Sequence, residues 1–578
     1  MYLVGWDKQE IQIEPKGLAM FGYGQWTHRA YEKRTSLFAR SISIQDGQTA
    51  PLIFCCLDLG CITSAMRSRS VDLLQQHLGE HFRPERLVLV ATHTHSGPGG
   101  CAYEVLYNVP TPGFVPEHLD AVVQAIVDSS LNALHTAEAT EIKTGTAAFS
   151  NETPVAWNRS IRAYNRNLDT AFVAEDQTHL ALNREMQVLG FYRQQQLCAL
   201  ISFFGVHATC LGNTLQAHDG DNKGYAARFA EQQLLRQGVV KPVCIFAQAT
   251  AGDVSPHFHG KDQVKIRKQI KGEDEYAYAE QNGRYQTEMA FEALQVVHSL
   301  SAAQPRVDAV LEYIDLSNIA ISEEFAAGHH NARTSIPCHG AAFLAGTPVD
   351  GVGAPAPLVK MMNGLSHLFR KRKLNSSDEE ERQYYQALYQ SQGPKHIIIE
   401  SGRHRVLGMA LDKLPAFLDP LIGELKRQTQ AGAVQHSPMV PSVIPVQLIN
   451  IGGLILICSP GEFTTTSGRR VMQTVAKSLQ GLDVSQIWFA SYCNDYMGYV
   501  TTFEEYQQQA YEGGHTLYGQ WTLSAFQMQF QRLAQQLSLP SEQRQISARL
   551  PPEVPLAELE QRTNHGKINT AVRHKEMT

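Results

Sequence analysis

The sequence predicts an α/β fold: one large domain of mixed β-sheets flanked by helices, over residues 1–540, then a tail over 541–578. Three observations predict it. A strand, a helix and a second strand follow one another at 52–57, 64–78 and 86–90, the order that builds parallel pairs. Strand-like apolar runs then alternate with helical stripes along most of the chain. No internal repeat and no Pro/Gly/Ser-rich linker divides it. The 578 residues, 43% hydrophobic and 18% charged, supply an ample core.

In chain order, early strands are expected at 11–13 and 36–44, around the glycine turn Phe21-Gly22-Tyr23-Gly24. The helix 116–137 carries Leu119, Val122, Val123, Ile126 and Leu131 as a core-facing stripe. Strands follow at 142–148, as a hairpin at 187–192 and 197–204, and at 239–248. The charge-rich stretch 260–284 reads as an exposed insertion. A strand is expected at 307–316, and a charged helical excursion or lid at 371–389. Strands resume at 441–457 and 488–491. Helices are expected at 464–479, with threonines at its start and Gly481 after its end, and at 518–537.

Composition excludes several classes. Net charge is -6, so no basic field suits nucleic acid. The one cationic cluster, Arg370-Lys371-Arg372-Lys373, reads as a solvated helix face or loop. The N-terminus lacks a basic region followed by an apolar one, so no signal peptide is read and a cytoplasmic protein is expected. No apolar run reaches membrane-spanning length. Ten cysteines are scattered without a Cys-x-x-Cys, and Cys55, Cys56 and Cys61 read as small core residues. That usage fits a reducing compartment.

The chemistry gathers around Thr92-His93-Thr94-His95-Ser96-Gly97-Pro98-Gly99-Gly100. His93 and His95 sit two apart at a strand end. On an extended chain they share a side and reach one point, and a neutral imidazole suits Zn²⁺. The glycines let backbone come close. His207 follows the strand-like run 200–206. Ser255 lies in the turn Gly252-Asp253-Val254-Ser255-Pro256, where Asp253 and Ser255 taken alone would bond local backbone. Glu462 lies between a strand and a helix, where taken alone it would cap the helix. Tyr499 and Tyr511, taken alone, are ordinary aromatics. Their shared position lifts the set: His93, His207, Ser255 and Glu462 all follow strand C-terminal ends, where α/β sites assemble. Two histidines and a carboxylate make a catalytic zinc set with a place left for water. No Gly-x-Ser-x-Gly elbow, His-Glu-x-x-His or P-loop competes.

Together the motifs resemble the neutral (non-lysosomal) ceramidases, which are zinc amidases. They are the His93–His95 stretch, Asn158-Arg159-Ser160, Asp221-Asn222-Lys223-Gly224-Tyr225-Ala226-Ala227 and Gly252-Asp253-Val254-Ser255-Pro256. Pro460-Gly461-Glu462-Phe463-Thr464-Thr465, Ser467-Gly468-Arg469-Arg470, Tyr499-Val500-Thr501-Thr502, Glu504-Glu505-Tyr506, Tyr511-Glu512 and Thr516-Leu517-Tyr518-Gly519 follow in family order. The resemblance implies one zinc ion per chain on His93, His207, Glu462 and Tyr499. It implies that His95, Arg159, Ser255 and Tyr511 line the reacting amide. His95, Arg159 and Tyr511 would donate to the developing oxyanion or protonate the leaving amine. Ser255 has been assigned as a nucleophile in the family; attack by a zinc-activated water, with Ser255 positioning substrate, is favoured here. The implied substrate is an N-acyl sphingoid base, met by peripheral contact with a membrane. The alternatives are another N-acyl lipid or small amide, or a non-catalytic lipid-binding relative. The chain departs from the family at His257, where asparagine is usual, and at 361–392, which is longer and more charged. Only a short tail stands where the family carries a C-terminal β-sandwich.

Overall fold

The computed structural model describes residues 1–300, 306–351, 353–414 and 420–564. Strands and helices alternate in a mixed α/β architecture, as expected. The main sheet runs, in spatial order, Val243–Ala247, Gln196–Phe203, Glu185–Arg193, Glu138–Ala148, Tyr2–Glu10, Phe38–Gln45, Leu52–Leu57 and Leu87–Ala91. The pairs at its two ends are parallel. The pairs between them are antiparallel. A second sheet holds Val307–Asp315, Val443–Ile451, Leu454–Cys458 and Gln486–Ala490, its last pair parallel. A bridge from Val90 to Cys493 ties the two sheets together.

The helix Pro116–His135 begins on the proline its missing N–H favours. It packs Leu119, Val122, Val123 and Ile126 into the core. All ten cysteines are free and buried, as small core residues should be. Among the described residues no helix is long and apolar enough to cross a membrane.

Several expectations need correcting. The first strand is Tyr2–Glu10, not 11–13. Tyr2, Val4 and Trp6 share its core face at the period of a strand, and Gly5 on the opposite face is buried against the helix Pro116–His135. The stretch 260–284 is not an exposed insertion. It contains the short helix Gln263–Arg267 and opens the long helix Glu273–Ala293. Tyr276, Ala279, Gly283, Met289 and Ala290 of that long helix are buried, as is Glu275 paired with Arg267, while its other charges lie toward solvent. The excursion at 371–389 is two helices, Ala356–Leu374 and Glu379–Gln392. The helix expected from 518 begins at Thr522. The expected tail is described only as far as Asn564. Over 541–564 it lies back on the body: Arg544 pairs with Asp308 at 2.6 Å, and Arg562 is buried. Its part over 565–578 lies outside the described residues.

Candidate metal centre and its surroundings

The floor of the site is where strand ends meet. Leu87–Ala91 leads to His93, Gln196–Phe203 to His207, Val243–Ala247 to Ser255 and Leu454–Cys458 to Glu462. Gln248, fully buried, clasps these ends. Its Nε2 donates to the carbonyls of Thr92 at 2.9 Å and Val206 at 2.6 Å. Its backbone carbonyl accepts from the Ser491 N–H at 3.1 Å. The helix Asp221–Arg236 adds two more ties. Asn222 Nδ2 donates to the His207 carbonyl at 2.9 Å, and Lys223 Nζ donates to those of Phe204 at 2.7 Å and Ala247 at 3.3 Å. Burial pushes the Lys223 amine down to about 7.

His93 is not on an extended chain. The strand stops at Ala91, and His93 adopts a left-handed backbone with φ 68°. The two imidazoles still converge, with Nε2 atoms 3.2 Å apart. Close backbone approach is what glycine provides here: a Cβ on Gly22, at φ 130°, would lie 2.4 Å from the His95 ring.

His93 Nδ1 lies 2.6 Å from the Gly60 carbonyl and His207 Nδ1 lies 3.0 Å from that of Val254. A carbonyl can only accept, so each Nδ1 carries the proton and each Nε2 presents a lone pair. Those lone pairs face Glu462 Oε2, at 3.5 Å from His93 and 3.0 Å from His207. Burial lowers the His93 pKa to about 4, keeping the ring neutral. Burial alone would raise Glu462, but its buried polar neighbours, the Tyr496 hydroxyl among them, hold the carboxylate well below its usual range. Tyr492 and Tyr496 donate their hydroxyls to the same carboxylate. The three ligand atoms lie within 4.8 Å of one another, all buried. Three acceptors aimed at one point with no proton among them are a fit for a cation. The structure thus brings together a His-His-Glu group able to hold a metal ion.

Glu462 does not cap the following helix. It pairs with Tyr499 in a short parallel bridge, and Thr464 caps the helix Thr465–Ser478 instead. A Cβ on Gly252 would lie 2.7 Å from the Glu462 carbonyl, so this turn needs a glycine. The Tyr499 hydroxyl is 3.3 Å from His207 Nε2 and accepts from Arg159 Nη2 at 3.0 Å.

Arg159 is buried and held at all three guanidinium nitrogens, these bonds leaving one Nη1 hydrogen for a further acceptor. It donates to Glu512 at 2.9 Å, Asp350 at 3.0 Å and the Gly252 carbonyl at 2.8 Å. Its guanidinium carbon lies 5.8 Å from the Tyr511 ring centroid. Ser255 and Asp253 do not bond local backbone. Ser255 Oγ donates to Asp350, and Asp253 accepts from Thr465 and Asn158. All eight expected residues thus fall into one connected constellation.

The sequence did not single out Asp350 or Gln248, nor did it give roles to Tyr492, Tyr496 and Glu512. Asp350 accepts from Ser255, Arg159 and, at 3.1 Å, Thr209. Its faint sequence signal is Asp350-Gly351 flanked by Gly346 and Gly353, a tight loop without a neighbouring strand. Outside Arg159 and Tyr511 opens a groove of about 1000 Å³, also lined by Trp157, Lys261, Lys265 and Pro348. His257 stacks on Tyr278 at 3.8 Å and bonds that residue's carbonyl, while its own carbonyl accepts from Gln263, which lines the groove.

A family model described as neutral/alkaline non-lysosomal ceramidase, N-terminal, matches residues 2–413 and 427–528. The chain belongs to that family. Among its relatives is the neutral ceramidase of Mycobacterium tuberculosis, 29% identical over 93% of this chain and 77% of its own length. The neutral ceramidase of Pseudomonas aeruginosa is 27% identical over 92% of this chain and 72% of its own. A solved structure described as a ceramidase complexed with C2 superposes with a TM-score of 0.76 at 26% identity, over 96% of this chain and 77% of that one.

Proposed function

We propose that this ceramidase-family chain is a zinc-dependent amidohydrolase, cleaving the amide of an N-acyl sphingoid base to a fatty acid and an amine. The observation that carries the proposal is the buried, acceptor-only convergence of His93, His207 and Glu462 beside the engaged arginine Arg159. Tyr499 is the proposed fourth ligand. A bound zinc ion would polarise the amide carbonyl and bring the pKa of a water to about 7. The chain's own groups do the rest. Arg159, fixed by Glu512 and Asp350, donates toward the oxygen that gains charge as the carbonyl is attacked. Tyr511 lines the groove beside it and holds its proton, burial having raised its hydroxyl pKa. His95 is neutral, burial lowering it well below its usual value, and it relays a proton toward the leaving nitrogen. The hydroxyl of water ends on the acyl carbon, its proton on the amine, and the C–N bond breaks.

Ser255 positions substrate rather than attacking it. Its hydroxyl is directed at Asp350, and Asp350 could take that proton only by giving up its ion pair with Arg159. Ser255→Ala should therefore keep a measurable rate. Rapidly quenched enzyme should show no acyl adduct by mass spectrometry, whereas a trapped acyl-serine would reverse the assignment. The whole reading is tested by elemental analysis and by assay on N-acyl lipids. About one zinc per chain is expected, with activity lost to a chelator and restored by Zn²⁺. Protein purified without chelators that holds no transition metal would overturn it.

A further inference from the structure

The helix Ala356–Leu374 is anchored on one side and, among the described residues, unpartnered on the other. Ser366 donates to the Ile397 carbonyl, and Phe369 packs with Tyr385 in a small buried cluster. On the outer side Leu358, Met361, Leu365 and Leu368 are 41%, 53%, 42% and 64% exposed. At 100° per residue these four fall within a single arc of about 80°. Single exposed leucines need no explanation, but a continuous apolar stripe on one helix does. The stripe is about 15 Å long at 1.5 Å per residue.

Charge decides what covers it. The chain's net charge is -6, yet 356–374 contains no acidic residue and ends in Arg370-Lys371-Arg372-Lys373. Arg372 continues the apolar stripe into the last turn. Lys360, Lys371 and Arg372 are exposed. Of the acids at the start of the next helix, Glu381 pairs with Lys373, Glu379 with Arg382, and Asp378 caps its own helix, so Glu380 alone sets its charge against Lys371 and Arg372. An exposed apolar face with cations at its end is the chemistry of a helix lying in an anionic lipid interface.

The helix is also joined to the site. The short helix Ala341–Leu344 packs on it and carries Phe343, which stacks on Tyr511 at 5.7 Å. The loop between them supplies Thr347 and Pro348 to the groove and Asp350 to Ser255. Across that groove stand Lys261, Lys265 and Lys268.

We infer that the outer face of Ala356–Leu374 docks the enzyme on an anionic lipid bilayer, seating Leu358, Met361, Leu365 and Leu368 among the acyl chains beside the groove mouth. The inference rests on the lipid-amidase reading, since a bilayer is where such a substrate resides.

Sedimentation with vesicles tests it without any substrate. Wild-type protein should bind phosphatidylcholine vesicles containing phosphatidylserine, and bind pure phosphatidylcholine vesicles far less. Leu365→Gln with Leu368→Gln should weaken binding roughly tenfold per leucine. Lys371→Gln with Arg372→Gln should weaken it roughly fivefold per charge and flatten its salt dependence. Unchanged thermal stability and metal content show that the variants fold. Equal vesicle binding by wild type and the leucine variant would overturn the inference. So would a dimer that the leucine variant dissolves while vesicles go unbound, because a second copy would then cover the stripe. Hydrolysis of detergent-dispersed ceramide without vesicle binding sinks this inference and leaves the function standing. Vesicle binding without hydrolysis does the reverse.

Discussion

The floor of the site and its mouth are built on opposite principles. On the floor, the two histidines that face the centre with Glu462 have their far sides tied to backbone. His93 is held by Gly60, His207 by Val254, and the strand ends beneath them by Gln248 and Lys223. At the mouth, Arg162 meets Glu175 in an ion pair open to water, and Lys261 lies 4.0 Å from Asp176. Exposed pairs of that kind contribute little. The difference separates two jobs: preorganised chemistry needs fixed ligands, while substrate capture tolerates change. Breaking the floor should therefore cost orders of magnitude, and breaking the mouth only small factors.

The largest effect is expected at the ligands. His93→Ala or His207→Ala should lower turnover by roughly a thousandfold or more, as for a member of an interdependent set. Elemental analysis should show the metal lost with it. A variant that keeps both would remove that histidine from the centre.

Asp350→Asn comes next. It keeps the shape but drops the charge that holds Arg159 and orients Ser255. Activity should fall roughly tenfold to a hundredfold, the usual cost of losing an orienting partner, with metal content unchanged. Loss of metal from this variant would place Asp350 in metal binding instead.

How much of this was legible beforehand follows the same division. His93, His207 and Glu462 showed because each follows an apolar strand, and a strand end is a readable place. Gln248 hid as one polar residue closing the run Val243–Ala247. Asp350 hid because its partners are 95 and 191 residues away, with no strand beside it to mark the spot. The helix Glu273–Ala293 was misread because its charges, not its buried Tyr276-Ala279-Gly283 spacing, dominate the composition. The left-handed turn at His93 was invisible, since convergence by extended chain and convergence by turn use the same two residues.

Lys223 offers a test of the floor by stability. Its amine titrates near 10.4 in an unfolded chain and is pushed down to about 7 here. Between those values the unfolded chain binds a proton the native state refuses, so native stability falls as pH drops and rises with pH. Lys223→Met lacks this contribution. The difference in urea midpoint between wild type and variant should move in favour of wild type from about pH 7 to about pH 9. A flat difference would mean the amine is already charged in the fold.

The smallest effect per step belongs to the mouth, and it decides which amide is cut. A lipid-binding groove gains about 0.8 kcal/mol for each methylene it covers, near fourfold in catalytic efficiency. The groove here is roomy at about 1000 Å³, but its walls are mixed: Trp157, Ile161 and Pro348 stand beside Lys261, Lys265 and Lys268. Efficiency measured on N-acyl sphingosines of increasing acyl length should thus rise for the first several methylenes and then level as the chain passes the apolar wall and reaches the lysines. Replacing Lys265 and Lys268 with methionine should extend that rise by a few methylenes while leaving the short-chain rate in place. A dependence flat from the shortest substrate onward would remove the lipid from the proposal and leave a zinc amidase for small N-acyl amines, its floor intact and its mouth put to another use.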